Sequence, residues 1–284
     1  MARPPLRSDT MDYLETNRAN WNSRVPVHVG SDFYDVEGFV AGRSPLRPFE
    51  REEVGDVSGR RLAHLQCHIG LDTLAWARLG AEVTGLDFSA AAVAQAEGIA
   101  AECGLPARFV TADVYDAAEK LGRAAYDIVY TGVGALVWLP DLTRWAQTVA
   151  ALLKPGGFLY LAEFHPFPDI LDEVTGTTVT HDYFDREPQV WVEPHTYTGG
   201  VELEHQTSVQ FLHGLGDVVS AVGAAGLRVE FLHEHDFTLF QRFSTLEAAD
   251  GMYRVPGGAP RLPLMYSLRA CAAGEPSPAA TPGD

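Results

Sequence analysis

The stretch "RRLAHLQCHIGLDTLAWARLGAEVTGLD", residues 60–87, decides the predicted fold. An apolar strand over "RRLAHLQC" leads through a turn into a short helix over "DTLAWARLG", and a second strand over "AEVTGLD" ends at Asp87. A strand, a helix and a strand in this order indicate a parallel β-α-β unit with its helix packed on one face of a sheet. The turn that follows the first strand contains a single glycine, Gly70.

The same alternation continues toward residue 165. The run "SAAAVAQAEGIAAECG" predicts a helix with Ser89 as its N-cap and Gly104 as its end. The runs "ARFVTAD" and "YDIVYTG" predict strands, "DLTRWAQTVAALL" a helix, and "KPGG" a turn into the strand "FLYLAEFH". Turn residues, aromatics and short alternating strands interrupt the pattern, which resumes with the helix "LGDVVSAVGAAG" and the strands "RVEFLHEHDF" and "LPLMYSLRAC".

These changes in pattern divide the chain into five predicted segments. They are an N-terminal lid over residues 1–58, a nucleotide-binding core over 59–165, a pocket insertion over 166–213, the end of the core over 214–271, and a disordered tail over 272–284, which is rich in Pro, Ala and Gly.

Composition limits the partners of the chain. The 284 residues include 38 acids and 21 bases, for a net charge of −17, and no basic run is present. A surface that holds a phosphate backbone needs clustered Lys and Arg, so we expect neither nucleic acid nor an anionic membrane as a partner. Three cysteines without a C-x-x-C pair fit a reducing cytoplasm. We also expect no signal peptide and no membrane span.

The cluster "HEHD", His233 to Asp236, is the strongest sequence signal for a metal. On a strand, alternate residues point to opposite faces, so only two of the four would share a face. The sequence contains neither H-E-x-x-H nor C-x-x-C to complete a site. We therefore expect polar residues on a half-exposed strand and no bound metal.

Residues that follow the strands are the candidates for ligand binding, because ligands of open parallel sheets bind beyond the carboxyl ends of the strands. The carboxylate of Asp87 suits a ribose diol, which donates two hydrogen bonds. Asp113 and the backbone N–H of Val114 suit the amino group and a ring nitrogen of adenine. The alternative for each acid is that it caps the helix that follows.

The segments "LDFS", "TADV", "YDIVYTG" and "LLKPGGFLYL", in this order, resemble those of class I S-adenosylmethionine-dependent methyltransferases. The run that starts at "HLQCHIG" and the run "WLPDLTRW" look like a bacterial branch that modifies small molecules. The resemblance implies S-adenosylmethionine as cofactor. It also implies a three-layer α/β/α sandwich with a seven-stranded, mostly parallel sheet, whose last strand is antiparallel and forms a hairpin with the one before. The N-terminal helical lid and the β-rich insertion after strand 5 complete the predicted fold.

The first turn departs from the family pattern. His64 stands where the family has an acid, and Gln66 and His68 stand at two of its usual glycine positions, whereas Gly70 is kept. Gln66 is expected to replace one glycine with a hydrogen bond to the amino-acid part of the cofactor. The predicted cofactor-binding residues are Gln66, Gly70, Thr73, Asp87, Phe88, Ser89, Asp113, Val114, Thr131 and Gly132.

Other classes of protein share parts of this pattern. A nicotinamide dehydrogenase normally needs G-x-G-x-x-G to hold a pyrophosphate at a helix N-terminus, and Asp72 would repel phosphates there. The cofactor of a methyltransferase has no phosphates and tolerates an acid at this position. A protein, peptide or RNA methyltransferase and a noncatalytic module that binds S-adenosylmethionine remain as alternatives.

Aromatic residues in the lid and the insertion predict the acceptor. Flat apolar walls with polar tips suit a small aromatic or heteroaromatic molecule, such as a specialised metabolite, methylated at carbon, nitrogen or oxygen. The predicted substrate-binding residues are Tyr13, Trp21, Phe33, Tyr34, Phe184, Trp191 and Tyr197. The first choice for general base is His165, directly after the fifth strand, with Tyr183 and His195 as second choices. The alternative for His165 is a structural bond to the turn "HPFP". We expect a monomer or a homodimer.

Overall fold

The computed structural model describes residues 12–272 of the chain. The first eleven residues of the predicted lid and residues 273–284, which include nearly all of the predicted disordered tail, lie outside the described part. Within residues 12–272, no helix could span a bilayer.

Helices and strands alternate as the sequence predicts. In chain order the helices are α1 (Tyr13–Val29), α2 (Val36–Val40), α3 (Pro48–Val54), α4 (Leu71–Arg78), α5 (Ala90–Cys103), α6 (Ala117–Leu121), α7 (Leu142–Leu152) and α8 (Leu215–Ala224). The strands are β1 (Arg61–Leu65), β2 (Glu82–Asp87), β3 (Ala107–Thr111), β4 (Tyr126–Thr131), β5 (Leu153–Phe164), β6 (Gln189–Val192), β7 (Thr207–Gln210), β8 (Leu227–His235), β9 (Phe237–Thr238), β10 (Glu247–Ala249), β11 (Met252–Arg254) and β12 (Met265–Ala272).

Seven strands form the central sheet in the order β3-β2-β1-β4-β5-β12-β8. The first five are parallel to one another, and β12 pairs antiparallel with both β5 and β8. The order reverses between β1 and β4, so the carboxyl ends of these two strands border a crevice. This arrangement confirms the predicted sheet with its antiparallel last strand.

The two faces of the sheet carry separate apolar cores. On one face, Trp145 of α7 and Val222 of α8 are fully buried against the side chains of β4 and β5. On the other face, Trp76 of α4 and Ala96 of α5 are fully buried, together with Phe39 of the N-terminal segment. Helices on both faces give the three-layer sandwich.

The ends of α5 follow the local rules that the sequence indicates. The Ser89 side chain accepts a hydrogen bond from the backbone N–H of Ala92, at 3.0 Å, which satisfies one free donor of the first turn. Gly104 ends the helix with a φ of +63°, a conformation that glycine adopts without steric cost.

Two segments outside the central sheet differ from the predictions. Residues 166–213 are mostly turns, with one antiparallel pair, β6 and β7. Strands β8 and β12 pair as expected but are not joined by a simple hairpin, because residues 236–264 between them form a separate three-stranded sheet. Phe243 of that connection packs with Leu171 of the insertion and Leu264, so the two segments share a small apolar core.

Helix α1 is joined to the insertion by hydrogen bonds. The Asn17 side chain donates to the carbonyl of Val209 at 2.8 Å and accepts from the N–H of Val209 at 2.7 Å. Asn20 donates to the carbonyl of His205 at 2.7 Å. Both asparagines are buried, so water cannot easily replace these bonds. The N-terminal helix and the insertion therefore form one roof over the sheet.

Candidate functional site

A cavity of about 1050 Å³ lies beyond the carboxyl ends of β1, β2 and β4. The strand ends and the residues that follow them form its floor, and the N-terminal segment and the insertion cover it. Residues 239–243 of the connection between β8 and β12 add a wall that the sequence did not predict. One space is therefore bordered by the predicted cofactor turn and by the predicted aromatic pocket.

The turn after β1 keeps the backbone of a glycine-rich turn without most of its glycines. Gln66 has a φ of +57° and His68 a φ of +48°, although residues with side chains rarely adopt positive φ. Gly70 has a φ of +75°, and a Cβ there would lie 2.8 Å from the Cβ of Ala96 and 2.8 Å from the ring of Phe109. The close helix packing explains why glycine is kept at this position and not at the other two.

Asp87 is fixed at the end of β2 by backbone donors. One carboxylate oxygen accepts from the N–H of His68 at 2.8 Å, and the other accepts from the N–H of Ser89 at 2.9 Å. Burial raises the pKa of Asp87 to about 6, and these backbone N–H groups oppose the shift. Each carboxylate oxygen has two lone pairs, so capacity remains for donors of a ligand. The carboxylate lines the cavity.

The side-chain amide of Gln66 carries an acceptor that the protein leaves free. Its Nε2 donates to the carbonyl of Ala135 at 2.9 Å, which fixes the orientation of the amide. Its Oε1 is buried and has no hydrogen-bond partner among residues 12–272. A buried acceptor without a partner is costly, and a donor from a ligand would remove that cost. The free Oε1 and the spare lone pairs of Asp87 fit the ammonium and ribose hydroxyl donors of S-adenosylmethionine.

Glu163 holds the loop after β4 in place. Its carboxylate accepts from four backbone N–H groups, those of Gly134, Ala135, Leu136 and Phe164, at 2.6 to 3.0 Å. Burial raises the pKa of Glu163 to about 7, against the effect of these donors. Because the loop it holds includes Ala135, Glu163 indirectly positions Gln66. Glu163 is among the residues at the end of the fifth strand that the sequence marks as candidates for ligand binding, but its contacts with this loop were not predicted.

A layer of aromatic rings covers the turn. The Trp21 ring meets the rings of His68 and Trp138 edge-on, with centroids 5.1 and 5.3 Å apart. His28 Nδ1 and His68 Nε2 are 2.9 Å apart, and His28 Nε2 is 2.7 Å from Thr196 Oγ1 of the insertion. Burial lowers the pKa of His28 to about 3 and that of His68 well below its usual value, so both rings are neutral near pH 7.

Most of the predicted binding residues line the cavity. From the predicted cofactor set these are Gln66, Gly70, Asp87, Phe88, Asp113, Val114 and Gly132. From the predicted substrate and catalytic sets they are Tyr13, Trp21, Phe33, Tyr34, Trp191, His195 and Tyr197. The hydroxyl groups of Tyr34 and Tyr197 are hydrogen-bonded to each other, so the lid and the insertion meet again there.

His165, the first choice for general base, is not among the residues that line the cavity. Its Nδ1 accepts from the N–H of Phe167 at 3.0 Å, its Nε2 lies 3.1 Å from the carboxylate of Glu234, and its ring packs edge-on against Tyr266. The bond to the N–H of Phe167 is the one that the alternative interpretation, a structural histidine bonded to the turn "HPFP", predicts. The backbone N–H of His165 donates to the carbonyl of Leu264 at 3.1 Å, which continues the strand pairing beyond β5, and the role of His165 as general base stays a prediction.

Tyr183 and Phe184 also lie outside the cavity lining. The Tyr183 hydroxyl accepts from the N–H of Leu215 at 3.2 Å, at the start of α8. Phe184 is 77% exposed. Neither residue is positioned as predicted, because the insertion turns outward before β6 and returns to the cavity only with Gln189.

Three of the predicted cofactor residues are buried behind the cavity surface. Thr73 Oγ1 bonds to His64 Nδ1 at 2.7 Å, and Ser89 caps α5. Thr131 is fully buried. These residues support the floor of the cavity and do not line it.

Three side chains of the cluster "HEHD" each contact a different neighbouring residue and do not converge on one point. His233 Nδ1 lies 2.6 Å from the carboxylate of Glu53, His235 Nε2 lies 3.1 Å from Ser267 Oγ, and Asp236 is ion-paired with Arg254 at 2.5 Å. Among residues 12–272, no group of three or more His, Cys, Asp or Glu side chains could hold a metal ion.

Residues 63–159 match the profile of a family described as a methyltransferase domain. The match runs from within β1 to within β5 and includes the turn, Asp87 and Asp113. Together with the strand order, it shows that the chain contains a domain of the class I S-adenosylmethionine-dependent methyltransferase family.

Two bacterial relatives with the same name are similar to part of this chain. A ubiquinone biosynthesis O-methyltransferase of Photorhabdus laumondii is 31% identical over 138 residues, which are 47% of this chain and 57% of that protein. A protein of the same name from Nitrosococcus oceani is 28% identical over 192 residues, 63% of this chain and 80% of that protein. The chain spans little more than half the length of the first of these relatives.

A solved structure extends the likeness of the fold beyond the matched region. The S-adenosylmethionine-dependent methyltransferase of Mesorhizobium loti superimposes with a TM-score of 0.56 at 21% identity. The superposition covers 82% of this chain and 99% of that one. At this identity the likeness shows the fold alone.

Proposed function

We propose that this chain transfers the methyl group of S-adenosylmethionine to a small, planar aromatic or heteroaromatic acceptor. The observation that carries the proposal is the single cavity, which joins the strand ends at Asp87 to a chamber walled by aromatic side chains. A cofactor site and an acceptor site must be contiguous for a direct transfer between their ligands.

The residues at the strand ends supply the contacts that the cofactor needs. Asp87 accepts hydrogen bonds from the ribose hydroxyls, Asp113 and the N–H of Val114 bind adenine, and Gln66 Oε1 accepts from the ammonium group. When bound, S-adenosylmethionine supplies an electrophilic methyl group on a sulfonium. The task of the protein is to position the acceptor, exclude water and receive a proton.

The chamber suits a flat acceptor. Trp21, Trp138, Trp191 and Phe240 line it and provide apolar surfaces on several sides. The relatives are named O-methyltransferases, so we place a phenolic oxygen ahead of carbon or nitrogen as the acceptor atom. Their names refer to ubiquinone biosynthesis, whereas the sequence led us to expect a specialised metabolite. The aromatic chamber is compatible with a phenol of either origin.

His195 is the only one of the three predicted bases that lines the cavity within the described residues. It lies on the exposed rim of the insertion. We propose that it receives the proton of the acceptor hydroxyl. Replacement of His195 by Ala should lower kcat by about 100-fold, the usual contribution of a general base, with little change in cofactor affinity. An unchanged kcat would remove His195 from the mechanism.

The function is tested by measuring S-adenosylhomocysteine formed from S-adenosylmethionine with catechol, 3,4-dihydroxybenzoate, indole, a peptide mixture or RNA as acceptor. We expect product with at least one of the small aromatic molecules and none with Asp87→Ala at the same cofactor concentration. Product with peptides alone would point to a protein methyltransferase. Tight cofactor binding without turnover of any acceptor would point to a noncatalytic binding module.

A further inference from the structure

Arg24 of α1 is a buried cation whose charge is not neutralised by the protein. It is 4% exposed and lines the cavity. Its Nε donates to Asn20 Oδ1 at 2.7 Å. In the described part of the chain, no carboxylate lies within 4.0 Å of its guanidinium, and its two Nη groups have no hydrogen-bond partner. Burial lowers the pKa of Arg24, and the more distant Tyr197 and Glu193 only partly oppose this.

The other arginines around the cavity are less buried than Arg24, and each lies near an acid. Arg43 pairs with Asp35, and Arg242 pairs with Asp169, both at 2.5 Å. Arg47 makes no ion pair within 4.0 Å among residues 12–272, but its charge acts on two acids: burial raises the pKa of Glu50 to about 7 and also raises that of Asp72, and the charge of Arg47 opposes both shifts. Among the described residues, Arg24 is the cavity arginine that is both buried and without a carboxylate within 4.0 Å. A buried, unpaired charge is costly to the folded protein, which indicates a use for it.

The surroundings of Arg24 hold it in one orientation. Its guanidinium lies over the rings of Trp21 and Trp138, 5.1 and 5.5 Å from their centroids. Asn20, which accepts from Nε, is itself fixed by its bond to the carbonyl of His205. The free donors are the Nη groups at the end of the planar fork, the geometry that matches the two oxygens of a carboxylate.

We propose that Arg24 is the binding residue for a carboxylate of a ligand in the cavity, an inference that rests on the proposed function. Two ligands of a methyltransferase can supply that carboxylate: the amino-acid end of the cofactor, or the acceptor. The first fits the position of Trp21, which contacts both Arg24 and His68 of the cofactor turn. The second fits Trp138, which contacts Arg24 and walls the aromatic chamber.

The test uses titration calorimetry of the full-length protein with ligands that do or do not carry a carboxylate. S-adenosylhomocysteine carries one, and 5′-methylthioadenosine lacks the whole amino-acid end. The protein loaded with S-adenosylhomocysteine is titrated with 3,4-dihydroxybenzoate and with catechol, which lacks the carboxylate. The variants are Arg24→Met, Arg24→Lys and, as a matched control, Arg123→Met, because Arg123 is exposed and lies outside the cavity.

If the carboxylate belongs to the cofactor, Arg24→Met should weaken the binding of S-adenosylhomocysteine by about 10- to 100-fold and leave the binding of 5′-methylthioadenosine unchanged. If the carboxylate belongs to the acceptor, Arg24→Met should weaken the binding of 3,4-dihydroxybenzoate alone. The affinity of Arg24→Lys should lie between those of the wild type and Arg24→Met, since lysine keeps the charge but not the two parallel donors of the guanidinium. The affinities of Arg123→Met should match those of the wild type.

The ligand-free Tm of Arg24→Met should change little, because the loss of the hydrogen bond to Asn20 Oδ1 is offset by the removal of a buried, unpaired charge. Unchanged binding of both carboxylate ligands in Arg24→Met would overturn the inference, and so would an equal loss for ligands with and without a carboxylate. A wild-type protein that binds neither nucleoside would instead refute the proposed cofactor, so the two failures can be told apart.

Discussion

Gly70 and Gly98 form a matched pair of glycines for testing the turn. A side chain at Gly70 would meet Ala96 and Phe109 at 2.8 Å, and its φ of +75° disfavours any other residue, whereas a Cβ at Gly98 in α5 would meet no atom within 4 Å. We expect Gly70→Ala to lower the free energy of unfolding by about 2–4 kcal/mol, from backbone strain and overpacking. Gly98→Ala should raise it by about 1 kcal/mol. Urea titration of both variants measures these changes, and equal stability would contradict the packing described for the turn.

The raised pKa of Asp87 predicts that the affinity for the cofactor depends on pH. Its pKa of about 6 means that the carboxylate is ionised at pH 8 and largely protonated at pH 5. Because a protonated carboxyl is a weaker acceptor for ribose hydroxyls, S-adenosylhomocysteine should bind more weakly as the pH falls through 6. Asp87→Asn should bind more weakly by about 1.5–3 kcal/mol at pH 8 and lose most of the pH dependence. A wild-type affinity equal at pH 5 and 8 would exclude this role for the carboxylate.

The lowered pKa of His28 predicts that the folded protein loses stability in acid. Burial lowers its pKa to about 3 in the folded protein, against about 6.5 in the unfolded chain. The unfolded chain therefore binds a proton that the folded protein does not, and the contribution of His28 is complete above pH 6.5 and is lost as the pH falls toward 3. The free energy of unfolding should fall by up to about 1.4 kcal/mol per pH unit from this group. His28→Gln should have a correspondingly shallower pH dependence of stability, and an identical slope would argue against the neutral, buried ring.

At the residue scale, the sequence predicts the position of a side chain where that side chain follows directly from a strand end, and its role in binding stays a prediction. Asp87 and Gln66 line the cavity because the ends of β2 and β1 are fixed by the sheet. His165 also follows a strand, but its ring direction depends on pairing with Leu264, a residue 99 positions away in sequence. A single sequence does not contain that pairing, so the direction could not be predicted.

At the level of elements, periodicity predicted the strands and helices of the central sheet because each buries a continuous apolar side. The three-stranded sheet of β9, β10 and β11 was missed. Its strands have two or three residues each, too few for a period to be visible. Tyr253 of β11 packs against the small apolar core that contains Phe243 and Leu171, so this sheet depends on a contact between distant segments. The wall it gives to the cavity was missed for the same reason.

The paired asparagine bonds predict that α1 and the insertion move together. Asn17 attaches α1 to Val209 of β7, and Asn20 attaches it to His205, two residues before β7. We expect amide hydrogen exchange to slow in both segments when S-adenosylhomocysteine and an acceptor bind. Asn17→Ala should speed exchange at residues 205–211 even without ligand, since two bonds are lost. Slower exchange in α1 alone or in the insertion alone would contradict the inference that the two segments move together.

At the scale of the whole molecule, the roof is assembled from parts of the chain that are far apart. Residues 13–39, 189–197 and 239–243 all border the same space, while the floor comes from the strand ends between them in sequence. Composition indicated the aromatic character of the first two segments. It could not show that they meet, since Tyr34 and Tyr197 are 163 positions apart.

The continuity of the cavity has a consequence for steady-state kinetics. Because the turn at Gln66 forms the floor and the aromatic chamber lies between it and the roof, an acceptor held in that chamber, as we propose, should obstruct the exit of the nucleoside. The reaction should follow a compulsory order, with the nucleoside first to enter and last to leave. S-adenosylhomocysteine should then inhibit competitively against S-adenosylmethionine, and the methylated product should inhibit noncompetitively against both substrates. Competitive inhibition by the methylated product against the acceptor would indicate random order and a second way out of the cavity.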